Sequence, residues 1–420
     1  MTMSQTRHYE MKDSGVEWIG KMPSNWQVKY LFQLVSQVKN KNNGLREKNL
    51  LSLSYGKIKR KDIETTDGLL PASFDGYNII EEGDIVMRLT DLQNDHTSLR
   101  IGRATERGII TSAYTTVRPS KETSPFLYLA LHSFDVKKGF YGMGAGVRQG
   151  LNYGEVKKVL VPVPPLSEQT AIAAYLDEKC ATIDAIIAEA KASIEEYKSW
   201  KASVIFETVT KGLNPNAEMK DSGVEWIGRV SKGWKIVPAK FFMRVQAGYP
   251  FDSERFDNSQ GIPLIRIRDI TSGHTETFYN GDYPEEYVVH NNDLLVGMDG
   301  DFNVRWWQGG EAVLNQRCCR IFARKGLLLR YFYFLLPFYL KQVNELAYST
   351  TVKHLANGDI GNADICLPPE DEQTAIAAYL DSKCAAIDGI ILEKEELIKE
   401  LENYRRSLIF EVVTGKRRVC

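Results

Sequence analysis

Two ten-residue strings each occur twice in this chain, and nothing else constrains its fold as strongly. MKDSGVEWIG at residues 11–20 recurs unchanged at 219–228, and EQTAIAAYLD at 168–177 recurs unchanged at 372–381. The second match continues more weakly, as KCATID (179–184) against KCAAID (383–388) and IFETVT (205–210) against IFEVVT (409–414). Two such identities in the same order define an internal duplication. Between them, residues 22–165 and 232–369 have little in common. Each half therefore reads as a constant short segment, a variable domain and a constant long segment. The boundaries expected are 1–21 for the first short segment, 22–165 for domain 1 and 166–212 for the first long segment. A linker and second short segment follow at 213–231, then domain 2 at 232–369 and the last segment at 370–420.

The constant long segments predict helices. Pro-Pro pairs at 164–165 and 368–369 stop what precedes them, and Ser167 and Asp371 occupy expected N-cap positions. Neither Gly nor Pro occurs from 168 to 211, and Gly212 suits a helix end; the second copy has one interruption, Gly389, and stops at Gly415. Apolar residues recur at three-to-four spacing: Ile183, Ile187, Ala190, Ile194, Tyr197 and Val204, then Ile390, Leu397, Leu401, Tyr404 and Leu408. A helix of this length extends about 65 Å, twice the width of a domain of the size between the repeats. Two such helices are expected to pack on each other as a coiled coil.

The variable blocks predict mixed α/β domains. Strands are expected at 78–80, 84–89, 109–117 and 159–163 in the first, and at 264–270, 293–297, 318–323 and 365–367 in the second. One apolar helix precedes the last strand of each, at 126–134 and 327–340.

Charge and motifs narrow the function. The net charge is −1, which by itself argues against a nucleic-acid partner. Yet residues 22–165 hold 20 Lys and Arg against 14 Asp and Glu, while 232–369 balance at 15 against 15 and the helical segments are acidic. There is no G-x-x-x-x-G-K-[ST], no NPPY-like methyltransferase motif, no H-E-x-x-H and no CxxC pair. No apolar stretch is long enough to span a bilayer and the N-terminus lacks a signal-like apolar core, so a cytoplasmic protein is expected. These absences favour recognition over catalysis. Arg and Lys suit guanine and phosphate, and Asn and Gln suit adenine. In the first block the candidates are Lys57, Lys59, Arg60, Arg88, Asn94, Tyr114, Arg148 and Gln149, with Lys39–Lys48, Gln93, Arg100 and Arg103 beside them. In the second they are Arg266, Arg268, Asn303, Arg305, Asn315, Gln316, Arg317, Lys353 and His354. No residue is a candidate for catalysis, cofactor or metal binding.

The paired KDSGVEWIG segments, each followed by a Trp (Trp26, Trp234), and the PP-x-x-EQTAIAAYLD helix starts carry a family resemblance. So do IPLIRIRDI (262–270), GMDGDFN (297–303), LNQRCCRI (314–321) and the TVKHL loop at 351–355. Across essentially its whole length the chain resembles the specificity subunit of type I restriction–modification enzymes. That resemblance implies two target recognition domains separated by an antiparallel pair of long helices. Each domain would read one half of a bipartite double-stranded DNA target. The subunit would not itself be an enzyme. It would recruit two adenine-N6 methyltransferase subunits and, through them, two translocase–endonuclease subunits, to which S-adenosylmethionine, ATP and Mg²⁺ would belong. A single-chain enzyme fusing recognition with modification, and a DNA-binding scaffold without enzyme partners, are the competing classes. Consumption of S-adenosylmethionine or ATP by the chain alone would favour the first, and failure to co-purify with a methyltransferase the second.

Overall fold

A computed structural model describes residues 10–63, 73–92, 99–141, 143, 150–300, 302–346, 357–362 and 364–419. Contacts divide the chain into two units, Met1–Lys191 with Glu395–Cys420, and Ala192–Lys394. The long helices, Leu166–Lys211 and Glu370–Val413, are therefore shared between units. Each begins two residues before the sequence-based start, so Ser167 and Asp371 lie within the first turn and are not N-caps. The Gln of each repeated motif folds back on the Pro-Pro pair: Gln169 Nε2 donates to Pro164 O and Gln373 Nε2 to Pro368 O, both at 2.9 Å. Gly389 lies inside an unbroken helix, its Cα facing open space.

In the first unit a four-stranded antiparallel sheet runs in the order Val35–Gln37, Thr115–Pro119, Ile85–Met87, Ile101–Arg103. In the second the order is Met243–Ala247, Cys318–Ala323, Leu294–Gly297, Val304–Trp306. The two orders are the same in chain terms, although the sequences are unrelated. Each domain is closed by an antiparallel pair joining its first and last strands, Gln27–Tyr30 with Leu160–Val163 and Lys235–Pro238 with Asp364–Leu367. Each carries one apolar helix, Ser124–Val136 or Leu329–Leu346, the second continuing through Pro337. Smaller pairs complete the first unit, Asn78–Ile80 with Gly108–Ile110 and Leu51–Ser54 with Lys57–Arg60. A five-stranded mixed sheet completes the second.

Two strand expectations fail for local reasons. Residues 109–117 break into two strands, because Thr111–Tyr114 forms a turn in which Tyr114 N donates to Thr111 O at 3.2 Å. Residues 264–270 are a strand only to Ile265 and then turn into the helix Ile267–Ser272. Asp269 drives that turn by accepting from Arg266 N at 2.8 Å, as an acid in the first turn of a helix does.

Within each unit the two long helices pack on one another and on the domain. In the first, Ile172, Leu176, Ile183 and Ile187 share a core with Leu408, Ile409, Val412 and Val413, and with Trp26 and Phe126 of the domain. In the second, Ile376, Leu380 and Cys384 share a core with Val209, Trp234 and Tyr331. There Lys394 lies over the Tyr197 ring and Lys201 bonds Asp388 at 2.6 Å, so the helices run antiparallel. The second helix packs through part of the expected seam, Leu401 and Leu408, and departs from it elsewhere. Ile387 and Leu408 are buried, whereas Leu397 and Tyr404 are 42% and 49% exposed. Ile398, one residue on from Leu397, joins the expected Leu401 in packing against the core. Repeated acids and leucines at both spacings make the two seams hard to distinguish from sequence.

The repeated short segments dock at helix C-terminal ends. The tryptophan that follows each short segment reaches the N-terminal start of a long helix, Trp234 Nε1 donating to Glu372 at 2.9 Å and Trp26 Nε1 to Glu168 at 2.8 Å. In the first unit Lys416 Nζ donates to Ile19 O, so residues 11–20 lie beside the end of the last helix. Gly212 and Gly415 end the two helices with φ of +84° and +73°. A Cβ at Gly415 would lie 2.2 Å from Pro23 Cδ, and one at Gly212 would lie 2.7 Å from Glu372 Oε1. Gly415→Ala and Gly212→Ala are each expected to cost at least about 1 kcal/mol from backbone strain and crowding, read as a lower denaturation midpoint. Unchanged midpoints would show that these docking contacts are loose.

Candidate nucleic-acid interface

In the second unit three loops leave the same edge of the sheets. Strands Ile262–Ile265 and Ala312–Leu314 are parallel and end side by side, with Asn315 N donating to Ile265 O at 3.1 Å. Strand Leu294–Gly297 ends opposite Cys318, where the next strand begins. Gly297 N bonds Asn303 O and Met298 N bonds Arg317 O, both at 2.9 Å. These pairings bring Arg266, Arg268, Asn303, Asn315, Gln316 and Arg317 to one edge, although they span 51 positions from first to last in sequence. All but the half-buried Asn315 are exposed. Several are already held: Arg268 donates to Thr277 Oγ1 at 2.9 Å and Arg317 lies 3.5 Å from Asp299.

Arg305 has a different occupation. Its Nε donates to Ile270 O at 2.5 Å and its second nitrogen to Thr271 O, so the guanidinium satisfies carbonyls at the end of helix Ile267–Ser272. Arg320, in the same basic phrase, is 11% exposed and bonds Asp293 at 2.9 Å.

The first unit builds the corresponding edge. Arg88 follows strand Ile85–Met87, and Tyr114 precedes strand Thr115–Pro119, which pairs with it. Leu151 N donates to Leu89 O at 2.8 Å, which brings the residues after Gly150 to the same place. A groove of about 440 Å³ opens there, lined by Lys39, Lys41, Ser112, Tyr114, Asn152 and Tyr153 among others. Asn78 Oδ1 and Thr116 Oγ1 are buried on its lining strands without a hydrogen-bond partner among the described residues. Ser112, Asn152 and Tyr153 were not among the sequence-based candidates. They are brought in by strand pairing, for which their local sequence carries no signal.

The rest of the first block divides. Lys57, Lys59 and Arg60 are exposed on the hairpin Leu51–Ser54/Lys57–Arg60, away from that groove's lining. Arg60 holds Glu106 with two bonds of 2.8 Å from Nε, which raises the arginine's pKa and lowers that of the carboxyl. Arg100 is 1% exposed, its guanidinium donating to the carbonyls of Arg88, Thr90 and Asp91, so it is a structural residue and not a surface contact. Arg103 donates to Ser124 Oγ at 3.1 Å. Asn94, Arg148, Gln149, Lys353 and His354, with Gln93, lie outside the described residues.

The thiols offer no activated nucleophile among the described residues. Burial pushes Cys319 up to about 12 and Cys366 up to about 11. No group of three or more His, Cys, Asp or Glu is placed to hold a metal among those residues, and none of their helices is long and apolar enough to cross a membrane.

Two similar sheets, each presenting polar loops from one edge and each joined to a copy of the same helix, describe a duplicated recognition module. The model of the type I restriction modification DNA specificity domain matches residues 23–196 and again 231–403, and the chain belongs to that family. It is 36% identical over 201 residues to the type I restriction enzyme EcoBI specificity subunit of Escherichia coli, a match covering 47% of this chain and 42% of that protein. It is 24% identical to the MjaVIII specificity subunit of Methanocaldococcus jannaschii, over 95% of this chain and 94% of the relative. Among solved structures, a chain from work on complex assembly and conformational transition of the type I R-M system shares its fold. The TM-score is 0.71 at 16% identity, over 94% of this chain and 99% of that one.

The two classes of polar residue are expected to separate on substitution. Arg305→Ala should lower stability by about 1.5–3 kcal/mol, because it removes charge-assisted bonds to helix-end carbonyls. Gln316→Ala, at an exposed loop position, should stay within about 0.5 kcal/mol of the parent. Thermal melting decides, and equal effects would sink the distinction.

Proposed function

We propose that this chain is the non-catalytic DNA-specificity subunit of a type I restriction–modification complex. Each domain reads one half of a bipartite target in double-stranded DNA. The observation that carries this reading is the same strand order built twice from unrelated sequences, each time with polar loops at one edge and each time on a repeated helix. Such a design holds the carrier constant and lets the reading edge vary. In this reading domain 1 is 22–165 and domain 2 is 232–369, and the helices set the spacer and dock two methyltransferase subunits. Two restriction–translocase subunits join through the complex. S-adenosylmethionine, ATP and Mg²⁺ are held by those partners, and the assembly works in the cytoplasm.

Spacer length is the direct test. Inserting about one helical turn, roughly 5.4 Å, into both long helices should change the spacer and leave both half-sites intact. Mapping methylated adenines after co-expression with a methyltransferase subunit reads this out. An unchanged spacer, or altered half-sites, would overturn the ruler role.

The half-sites should also be separable. Arg88→Ala with Tyr114→Phe should relax one half-site, and Gln316→Ala with Arg317→Ala the other. A base-edge contact is worth about 1–3 kcal/mol of discrimination, whereas a phosphate contact weakens all sequences alike. Equal loss on target and random duplexes would assign these side chains to the backbone. The untested candidates Arg148, Gln149, Lys353 and His354 belong to the same proposal, one pair per half-site, as do Asn94 and the hairpin residues Lys57, Lys59 and Arg60 as positioning contacts.

A further inference from the structure

A second hollow of the first unit lies apart from the reading edge. It holds about 450 Å³ where the hairpin Leu51–Ser54/Lys57–Arg60 and helix Ser124–Val136 meet the two long helices. Cations reach it from three elements: Lys57 from the hairpin, Lys191 from the first long helix, and Arg405 and Arg406 from the second. Two carboxylates, Asp184 and Glu402, also line it, the former 3.2 Å from Arg405 Nε. Four cations against two acids leave the hollow positive.

Its wall holds unpartnered nitrogen. His132, 5% exposed, lines the hollow with its Nδ1 buried and without a hydrogen-bond partner among the described residues. Arg405 Nε, also buried, is instead ion-paired with Asp184 at 3.2 Å. Buried polar atoms are ordinarily paired, and an orphaned imidazole nitrogen in the wall of a cationic hollow marks a place for an acceptor. Burial, then the charges of Arg405 and Arg406, push the His132 imidazole down to about 4, so it is neutral near pH 7. An anion among those arginines would offset that repulsion and favour the imidazolium, in which both ring nitrogens donate.

The duplication supplies an internal control. A shift of one repeat places Arg405 on Lys201 and Arg406 on Ala202. The hollow lined by Lys201 and Ala202 in the second unit also gathers Lys198, Arg330 and Lys341 against Asp381 and Asp388, but Tyr333, Phe334, Pro337 and Phe338 give it an aromatic and apolar wall. Net charge is therefore alike in the two hollows, and the first is set apart by its adjacent arginines and by the buried, unpartnered His132.

We propose that the hollow around His132, Arg405 and Arg406 is a phosphate-binding site, with Lys57 and Lys191 at its rim. The planar fork of an arginine matches a phosphate's oxygens, and a phosphate dianion balances the two excess positive charges. The phosphate comes from a DNA backbone or from a small phosphate compound, and the chemistry of the seat is the same for both.

The test uses the full chain with ¹³C-labelled histidine, its six histidine signals and inorganic phosphate as probe. The signal lost in His132→Gln identifies His132. Phosphate should shift that signal and raise its pKa toward the ordinary imidazole range, leaving the other five less affected. Arg406→Ala copies the second repeat at an exposed position and should melt as the parent does, yet weaken phosphate by roughly tenfold or more. Lys57→Ala should weaken it less. A random duplex that produces the same shift identifies the DNA backbone as source. A duplex without effect, where phosphate acts, identifies a small phosphate compound. A His132 signal that phosphate leaves unmoved, or moves equally in Arg406→Ala, overturns the site. Half-site reading by the domains would survive that outcome, because His132, Lys191, Arg405 and Arg406 take no part in it and Lys57 enters it only as a positioning contact.

Discussion

The burial of the long helices' apolar edges against each other underlies every other feature of the molecule. A 46-residue helix and a 44-residue helix with acidic outer faces cannot hold straight by propensity alone, since most helical stability in a protein comes from packing. Each unit solves this with the front half of one helix and the back half of the other. Ile172–Ile187 meets Leu408–Val413 in the first unit, and Val209 meets Ile376–Cys384 in the second. Ion pairs repeat the arrangement: Arg405 with Asp184 in one unit and Lys201 with Asp388 in the other are the same pair one repeat apart. Partly exposed pairs of this kind contribute about 0.2–1 kcal/mol each, so they set register more than stability.

The constant motif EQTAIAAYLD is accounted for nearly residue by residue. Its Glu accepts from a domain tryptophan and its Gln closes the Pro-Pro turn. Its Thr bonds back one helical turn, and its Ile, second Ala and Leu are buried in the seam. The final Asp is where the units differ. Asp381 is gripped by Arg330, which also lies over Trp306, Tyr333 and Phe334. Asp177 instead lines a small hollow with Lys57, Arg103 and Pro125. A constant helix thus accepts two domains through different side chains.

The reading edges follow from topology more than from residue type. Pairing Gly297 with Cys318, and Ile265 beside Leu314, places three loops together whatever their side chains are. Pairing Ile85–Met87 with Thr115–Val117 does the same in the first unit. Loops at strand ends carry few packing obligations, so they can vary while the sheet persists.

Much of this was legible before any coordinates. The duplication is an identity between strings, and helix length follows from the absence of Gly and Pro, so the two-domain plan and both long helices needed no tertiary information. Local chemistry also placed both apolar helices and six of the eight strands expected, while strands such as Leu51–Ser54, Val304–Trp306 and Ala312–Leu314 were not foreseen. Contacts between distant segments were not legible. Arg100 and Arg88 look alike as sequence, yet the first is buried on backbone carbonyls and the second stands at an edge. Arg305 differs from Gln316 only because a helix happens to end beneath its guanidinium. The seam of the second helix was read correctly at Leu401 and Leu408 but misread at Leu397, because Leu397 and Ile398 both fit a helical period and only the partner helix chooses between them. Composition and spacing report what a segment prefers by itself, whereas burial and pairing depend on which remote segment folds against it.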